Sequence, residues 1–291
     1  MRRATDNLAL AAMAVLGGAW TAAAQPQAAS VPDPKVVVQR ACDALGGLDA
    51  FRKLGILGIQ TDREEITQDG KVSNDSYLVI MDTPGPIPGR LEIASTKTIA
   101  ADDGTGGWAL ANGKPDQRPA TQHMVKRTLT SYTFSLLAPF SLTWDGVTHK
   151  SVQPGVIAGR PVWRLEIEVG SGFFASPQVS RTWFFDFDQN SFELIQAISP
   201  ATDLGKGIRA DGMLVVVTHR VKVGGVSLPS SEKVIGLDEA GNQKSHTRIK
   251  TLKYKLISST EAGLLFPNPI PPDQRPKPPQ MPMPGSAARP S

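Results

Sequence analysis

Four histidines, His123, His149, His219 and His246, are the residues from which a metal site or a general base would be drawn. No two stand at the i, i+4 spacing that sets paired imidazoles on one helix face, and HExxH is missing. His219 runs in phase with Val215, Val217, Val221 and Val223, which predicts a core or lining histidine on a strand rather than a metal ligand. Acid–base hydrolysis requires two carboxylates at a fixed separation whose environments push their pKa values apart. The available pairs are Glu64-Glu65, Asp102-Asp103 and Asp186/Asp188. Asp102-Asp103 precedes glycines, where aspartate is favoured for local turn bonding. Asp186 and Asp188 share a strand face ahead of a hairpin turn, which predicts a solvated edge. A serine nucleophile would need Gly-x-Ser-x-Gly on a strand-to-helix turn, and the chain has none. The run Gly104-Thr105-Gly106-Gly107 lacks the lysine and the following helix of a phosphate loop. Cys42, the single cysteine, cannot close an intrachain disulfide and reads as a small buried hydrophobe in a helix.

What the chain does hold is an excess of large apolar residues. Trp163, Trp183, Phe185 and Phe187 fall on inward-looking strand faces, and Leu129, Tyr132, Leu136 and Phe140 recur along or beside one helix. Each is ordinary core taken singly. Together, a curled sheet closed by an amphipathic helix encloses an apolar space that is either filled or left open to a ligand. These eight residues are the candidate ligand-binding set, with no catalytic residue, no metal and no cofactor. Leu129 and Leu136, seven residues apart, are expected to point into the same space.

The elements that would position them are mostly strands. Asp33-Pro34 starts a helix carrying Val37, Val38, Ala41, Cys42 and Leu45, and Gly46-Gly47 ends it; Leu48, Phe51 and Leu54 follow on a second short helix. From Ile56 the period becomes two: 56–67 and 72–82 form a hairpin over the Asp69-Gly70 turn. Strand signals follow at 90–95 and after Gly107. Apolar residues at three- and four-residue spacing predict one central helix over Thr121–Ala138, ended by Pro139. The second half alternates again over 163–169, 181–188, 192–198, 213–223, 228–237 and 244–257. The expected fold is mostly β (α+β): a curled antiparallel sheet or half-barrel of about nine strands, with an N-terminal helical clip and one central amphipathic helix.

Both ends differ from this domain. Arg2-Arg3, the uncharged run Leu8–Trp20 and Ala22-Ala23-Ala24 predict a signal peptide over 1–24, cut before Gln25, for a periplasmic or secreted protein. The apolar run is too short for a confident membrane span, and no second one follows, so no transmembrane segment is expected after cleavage. Residues 34–257 are the folded domain. Residues 258–291 are expected to be a disordered proline-rich tail, since ten of the 24 prolines lie in 267–291. The formal charge of +4 is modest. Lys244, Lys250, Lys253 and Lys255 alternate with Leu252, Tyr254 and Leu256 and read as the solvated face of a strand, so no nucleic-acid partner is expected.

Three stretches carry a resemblance. The clip Ala44-Leu45-Gly46-Gly47-Leu48-Asp49-Ala50, the run Asp103-Gly104-x-Gly106-Gly107-Trp108 and the hairpin Trp183-Phe184-Phe185-Asp186-Phe187-Asp188, behind a signal peptide, resemble the periplasmic lipoprotein-carrier (LolA-like) half-barrel superfamily. The resemblance spans roughly Pro34 to Ile257. It implies an incomplete barrel whose apolar concave face, closed by helices, holds acyl chains, and it implies no catalytic residue. The leading expectation is therefore a periplasmic carrier or binding protein for a lipid, a lipoprotein acyl chain or another apolar ligand, with an envelope protein as a further partner. The alternatives are an envelope scaffold or sensor with a filled core, and a carboxylate-based hydrolase.

Overall fold

Asp33 caps the first helix as expected: its side chain accepts a hydrogen bond from the Lys35 amide at 2.8 Å, and Pro34 takes the first helical position. The computed structural model describes residues 30–271 except 105, 117–118, 176–178, 204–208 and 211; at 119–124, 202–203 and 209–210 it describes backbone alone. Helix α1 (Pro34–Ala44) buries Val37, Val38, Ala41 and Cys42, and α2 (Leu48–Lys53) buries Phe51. Gly46, at φ +112°, passes so close to the turn at Gly225 that a Cβ would lie 2.8 Å from its carbonyl oxygen. The Ser227 amide donates to the Leu45 carbonyl at 2.8 Å, and this contact clips the helical pair onto the sheet.

The strands run in chain order: β1 (Ile56–Ile66), β2 (Val72–Asp82), β3 (Gly89–Ile93), β4 (Thr98–Asp102), β5 (Gly107–Ala111) and β6 (Lys114–Pro115). Helix α3 (Pro119–Thr133) and a 3-10 turn (Phe140–Thr143) intervene. Then come β7 (Val147–Ile157), β8 (Arg160–Val169), β9 (Thr182–Asp188), β10 (Leu194–Ser199), β11 (Thr202–Asp203), β12 (Arg209–Ala210), β13 (Gly212–Val223), β14 (Val226–Leu237) and β15 (Gln243–Ile257). Apart from the β11–β12 ribbon they form one antiparallel sheet of thirteen strands, ordered β6-β5-β4-β3-β2-β1-β15-β14-β13-β10-β9-β8-β7. The chain starts in the middle, works out to one edge, crosses by way of α3 to the other edge, and returns to pair β15 with β1. One helix touches strands from both halves: Tyr132 meets Tyr77 of β2 edge to face at 4.6 Å, and Phe134 just past α3 meets Phe185 of β9 at 6.0 Å. The sheet therefore curls around it.

Thirteen strands replace the expected nine for a physical reason. Strand β7 reads VTHKSVQPGVI and buries only Val152, so it shows no alternation; it is an edge strand, where Pro154 is tolerated. Strands β4 and β6 are short, and Ile99 is the one large apolar residue between them. The helix also ends earlier than expected, at Thr133, where the Thr130 and Thr133 hydroxyls donate to the Lys126 and Leu129 carbonyls and compete with the backbone ladder. His219 is exposed, not core: a bulge between Val217 and Arg220 shifts the phase of β13.

The C-terminal boundary moves as well. Residues expected to begin a disordered tail form α4 (Ser259–Leu265), and Phe266 and Ile270 are 6% and 2% exposed. Ala262 and Phe266 cover Ile80, and Ile270 covers Ala101 and Trp108, all on the outer face. The Trp108 indole donates to the Phe266 carbonyl at 2.8 Å, as does Arg90 to that of Leu265. The signal segment 1–24 and residues 272–291 lie outside the described residues. No helix among the described residues is long and apolar enough to cross a membrane.

Candidate ligand cavity beneath the crossing helix

The inner face changes character along a single cross-strand line. Register aligns Val152, Leu165, Phe185, Ala197, Val215, Val234, Arg248 and Glu65, one per strand from β7 to β1. The first six are apolar and the last two charged. An adjacent line carries Val217, Glu232, Lys250, Arg63 and Asp75. One half of the concave face is thus hydrocarbon and the central strands carry alternating charge.

The eight predicted residues come together in the main hydrophobic core. Leu129, Leu136, Phe140, Phe185 and Phe187 are at most 2% exposed, and Trp163 is 6% exposed. Phe140 stacks on Phe51 of the clip at 4.3 Å, and Leu129 leans on Gly89, where an added Cβ would lie 2.9 Å from its methyl. Tyr132 is half-buried against Tyr77. Trp183 lines a cavity of about 150 Å³. Its other walls are Phe134, Phe174, Val179, Met213, Val215 and Val234, with Ser131 and Ser135 at the helix side and Arg248 and Lys250 at the floor. That volume is comparable with engineered apolar cavities that admit benzene, smaller than a long acyl chain fills. Two larger depressions of about 550 and 630 Å³ are lined largely by polar strand-surface residues such as Asp62, Asn74 and Glu92, and a third of about 510 Å³ mixes Pro84, Pro86, Ile87, Trp144 and Phe173 with Lys126, Arg127 and Asp145. The first two lack the apolar enclosure that retains a hydrocarbon.

Arg248 and Lys250 escaped the sequence reading, which placed Lys250 on the solvated face. Lys250 shares the phase of Leu252 and Tyr254, so it points inward; Thr251, Lys253 and Lys255 are the exposed set. Its Nζ meets Glu232 Oε2 at 3.2 Å, with Glu232 wholly buried. Burial alone would lower the Lys250 ammonium, but the Glu232 charge and hydrogen bond outweigh it and hold it above the ordinary lysine range. Arg248 Nε lies 3.0 Å and His246 Nε2 2.6 Å from Glu65 Oε1. Burial pushes the Glu65 carboxyl up, but those bonds and the charges of Arg248 and Arg63 more than reverse it and leave it below the usual carboxylate range. Glu232 Oε1 and the Arg220 terminal nitrogens are buried with no hydrogen-bond partner among the described residues.

Two of the carboxylate pairs are divided between faces or engaged in structural contacts. Glu64 is exposed while its neighbour Glu65 turns inward, as adjacent strand residues must. Asp186 and Asp188 are buried, not solvated, and each is engaged structurally. Asp186 takes two bonds from Arg164 at 2.7 and 2.9 Å and one from Gln196 at 2.8 Å, while Asp188 pairs with Arg160 at 2.7 Å and caps the turn at Asn190 and Ser191. Asp102 accepts from the Gly104 amide in its turn. Among the described residues no three His, Cys, Asp or Glu side chains gather as metal ligands.

No family model and no curated protein matches the sequence. Solved structures do match in shape. A LolA superfamily protein from Nitrosomonas europaea aligns with a TM-score of 0.54 at 11% identity over 81% of this chain and 98% of its own. A DUF1329 family protein from Desulfovibrio piger aligns at 0.50 and 12% identity, over 80% of this chain and 100% of its own. An outer-membrane lipoprotein-sorting protein domain from Vibrio parahaemolyticus aligns at 0.50 and 8% identity, over 80% and 99%. At such identities the likeness is one of fold, and the curled antiparallel sheet with its crossing helix is a LolA-like fold.

Proposed function

We propose that this chain is a carrier or binding protein of the cell envelope for a lipid, a lipoprotein acyl chain or another apolar ligand. The observation that carries the reading is the aromatic- and aliphatic-walled cavity between the segment following α3 and the inner face of β9, β13 and β14. The signal-like N-terminus and the LolA-like fold support it. The tight packing around Phe134, which meets four other aromatic rings besides Trp144, favours the scaffold alternative.

The test is native mass spectrometry of the purified protein, followed by delipidation and titration with a fluorescent fatty acid. Co-purified lipid or saturable uptake supports a carrier; neither leaves the scaffold. Truncations then separate ligand walls from core. Leu129→Ala should cost about 2–5 kcal/mol of stability, as in any filled core, because Leu129 is fully buried and does not line the cavity. Met213→Ala, at a half-buried cavity wall, should weaken uptake with a smaller loss of stability.

A further inference from the structure

The cavity's floor is not what an uncharged hydrocarbon requires. Burying cations carries a desolvation cost that an apolar floor would avoid, and here Arg248 and Lys250 both reach the cavity from one strand. They stand where the inner face changes from hydrocarbon to charge. Val215 and Val234 share the cavity with them and precede Arg248 on the same cross-strand line, so Val215 lies two strands, roughly 10 Å, from it. A chain lying on Trp183 and Val215 would bring its end group to the two cations.

The two floor cations keep donor capacity that their described partners do not use. The basic groups at and beside the floor are Arg63, His246, Arg248 and Lys250; the carboxylates they meet are Asp75, Glu65 and Glu232. Lys250 is matched to Glu232, and Arg63 to Asp75 at 3.3 Å. Arg248 meets Glu65 through Nε, and no described hydrogen bond uses its two terminal nitrogens. Arg220 is not part of the cavity lining; the charges of Glu193 and Glu232 act on it, and its terminal nitrogens are buried without a hydrogen-bond partner among the described residues.

We propose that the cavity selects an anionic amphiphile, an alkyl chain ending in a carboxylate or phosphate, whose head is held by Arg248 and Lys250 and whose chain lies against Trp183, Val215 and Val234. This rests on the carrier reading and names its ligand class. Charge-assisted hydrogen bonds to a guanidinium and an ammonium supply the selectivity, and the apolar walls supply retention.

The experiment is a displacement titration of the delipidated full chain with probes sharing one twelve-carbon chain: dodecanoate, dodecyl phosphate and dodecanol, with inorganic phosphate added separately. The expected result is that both anions bind about tenfold or more tighter than dodecanol, with inorganic phosphate failing to compete. Arg248→Gln and Lys250→Met should each reduce that preference to about threefold or less while dodecanol binding holds. Equal binding of dodecanol and dodecanoate overturns the proposal and leaves the carrier reading standing. Binding of none of the three overturns both. Competition by inorganic phosphate alone identifies a free-anion site and overturns the amphiphile. Lys250→Met strands the buried Glu232 and is the variant that could unfold; Arg248 has a side chain 39% exposed, and the wild-type series decides without either variant.

Discussion

The two faces of the sheet are covered by the same device and used differently. On the convex face, the row Ile80, Arg90, Ala101 and Trp108 is covered by α4 and the residues after it, and two hydrogen bonds to the Leu265 and Phe266 carbonyls lock that cover down. On the concave face, α3 and the turn after it cover a longer apolar stretch, but the fit is incomplete and a cavity remains beside buried charge. A cover that only stabilises can satisfy every polar group it meets. The concave cover leaves volume unfilled, and nearby Glu232 Oε1 and the Arg220 terminal nitrogens are buried without a hydrogen-bond partner among the described residues.

The sharpest way to break this contrast is at the buried charge. Glu232→Ala leaves Lys250 inside without its counter-ion and should cost about 3–5 kcal/mol, read from urea unfolding. A loss under about 1 kcal/mol, the value of a surface pair, would mean that water reaches Lys250 and that the concave interior is open.

Truncation tests the other face. A chain ending at Ile257 loses Phe266 and Ile270 from the outer row and should be less stable than one ending at Pro271 by roughly 2–4 kcal/mol after the entropy of the freed segment is counted. That corresponds to a drop of roughly 5–15 °C in Tm. Uptake of a fluorescent fatty acid by the shorter chain, measured below its Tm, should be unchanged. Loss of uptake would mean that the two covers are coupled.

The smallest effect is in acid. Glu65 has its folded pKa below the unfolded value, so its contribution to stability is complete above about pH 4.5 and is lost as pH falls through the lower, folded pKa. Glu65→Gln should flatten the fall in stability below pH 4.5 and change little of the slope between pH 5 and 7. An unchanged acid slope would show that the Arg248–His246–Glu65 contacts are not maintained in solution.

Much of this architecture was legible in local patterns. Asp33-Pro34, the glycine pair behind α1, the hairpin over Asp69-Gly70 and the alternating face of β8 state their elements because capping, turn and burial preferences act over a few residues. The aromatic set was placed inward correctly for the same reason. Strand β7 was not legible, because an edge strand with one buried residue has no period to read. Nor was the exposure of His219, because a bulge in β13 reverses phase without a sequence mark. Lys250 was misplaced although its phase with Leu252 and Tyr254 was in view: lysine on an inner face is tolerated only if a carboxylate stands opposite, and that carboxylate comes from another strand.

By itself, then, the sequence determined a mostly antiparallel chain with a helical clip, one central amphipathic helix and an inward aromatic set, since each of these follows from short-range periodicity and capping. The tertiary structure alone decided which of the apolar residues are filled core and which are cavity wall, that Phe266 and Ile270 fold back over the outer face, and that Glu232 stands beside Lys250. Those are matters of register between strands far apart in the chain. A shift of one residue in that register would carry Arg248 and Lys250 to the solvent side and leave the cavity without its floor.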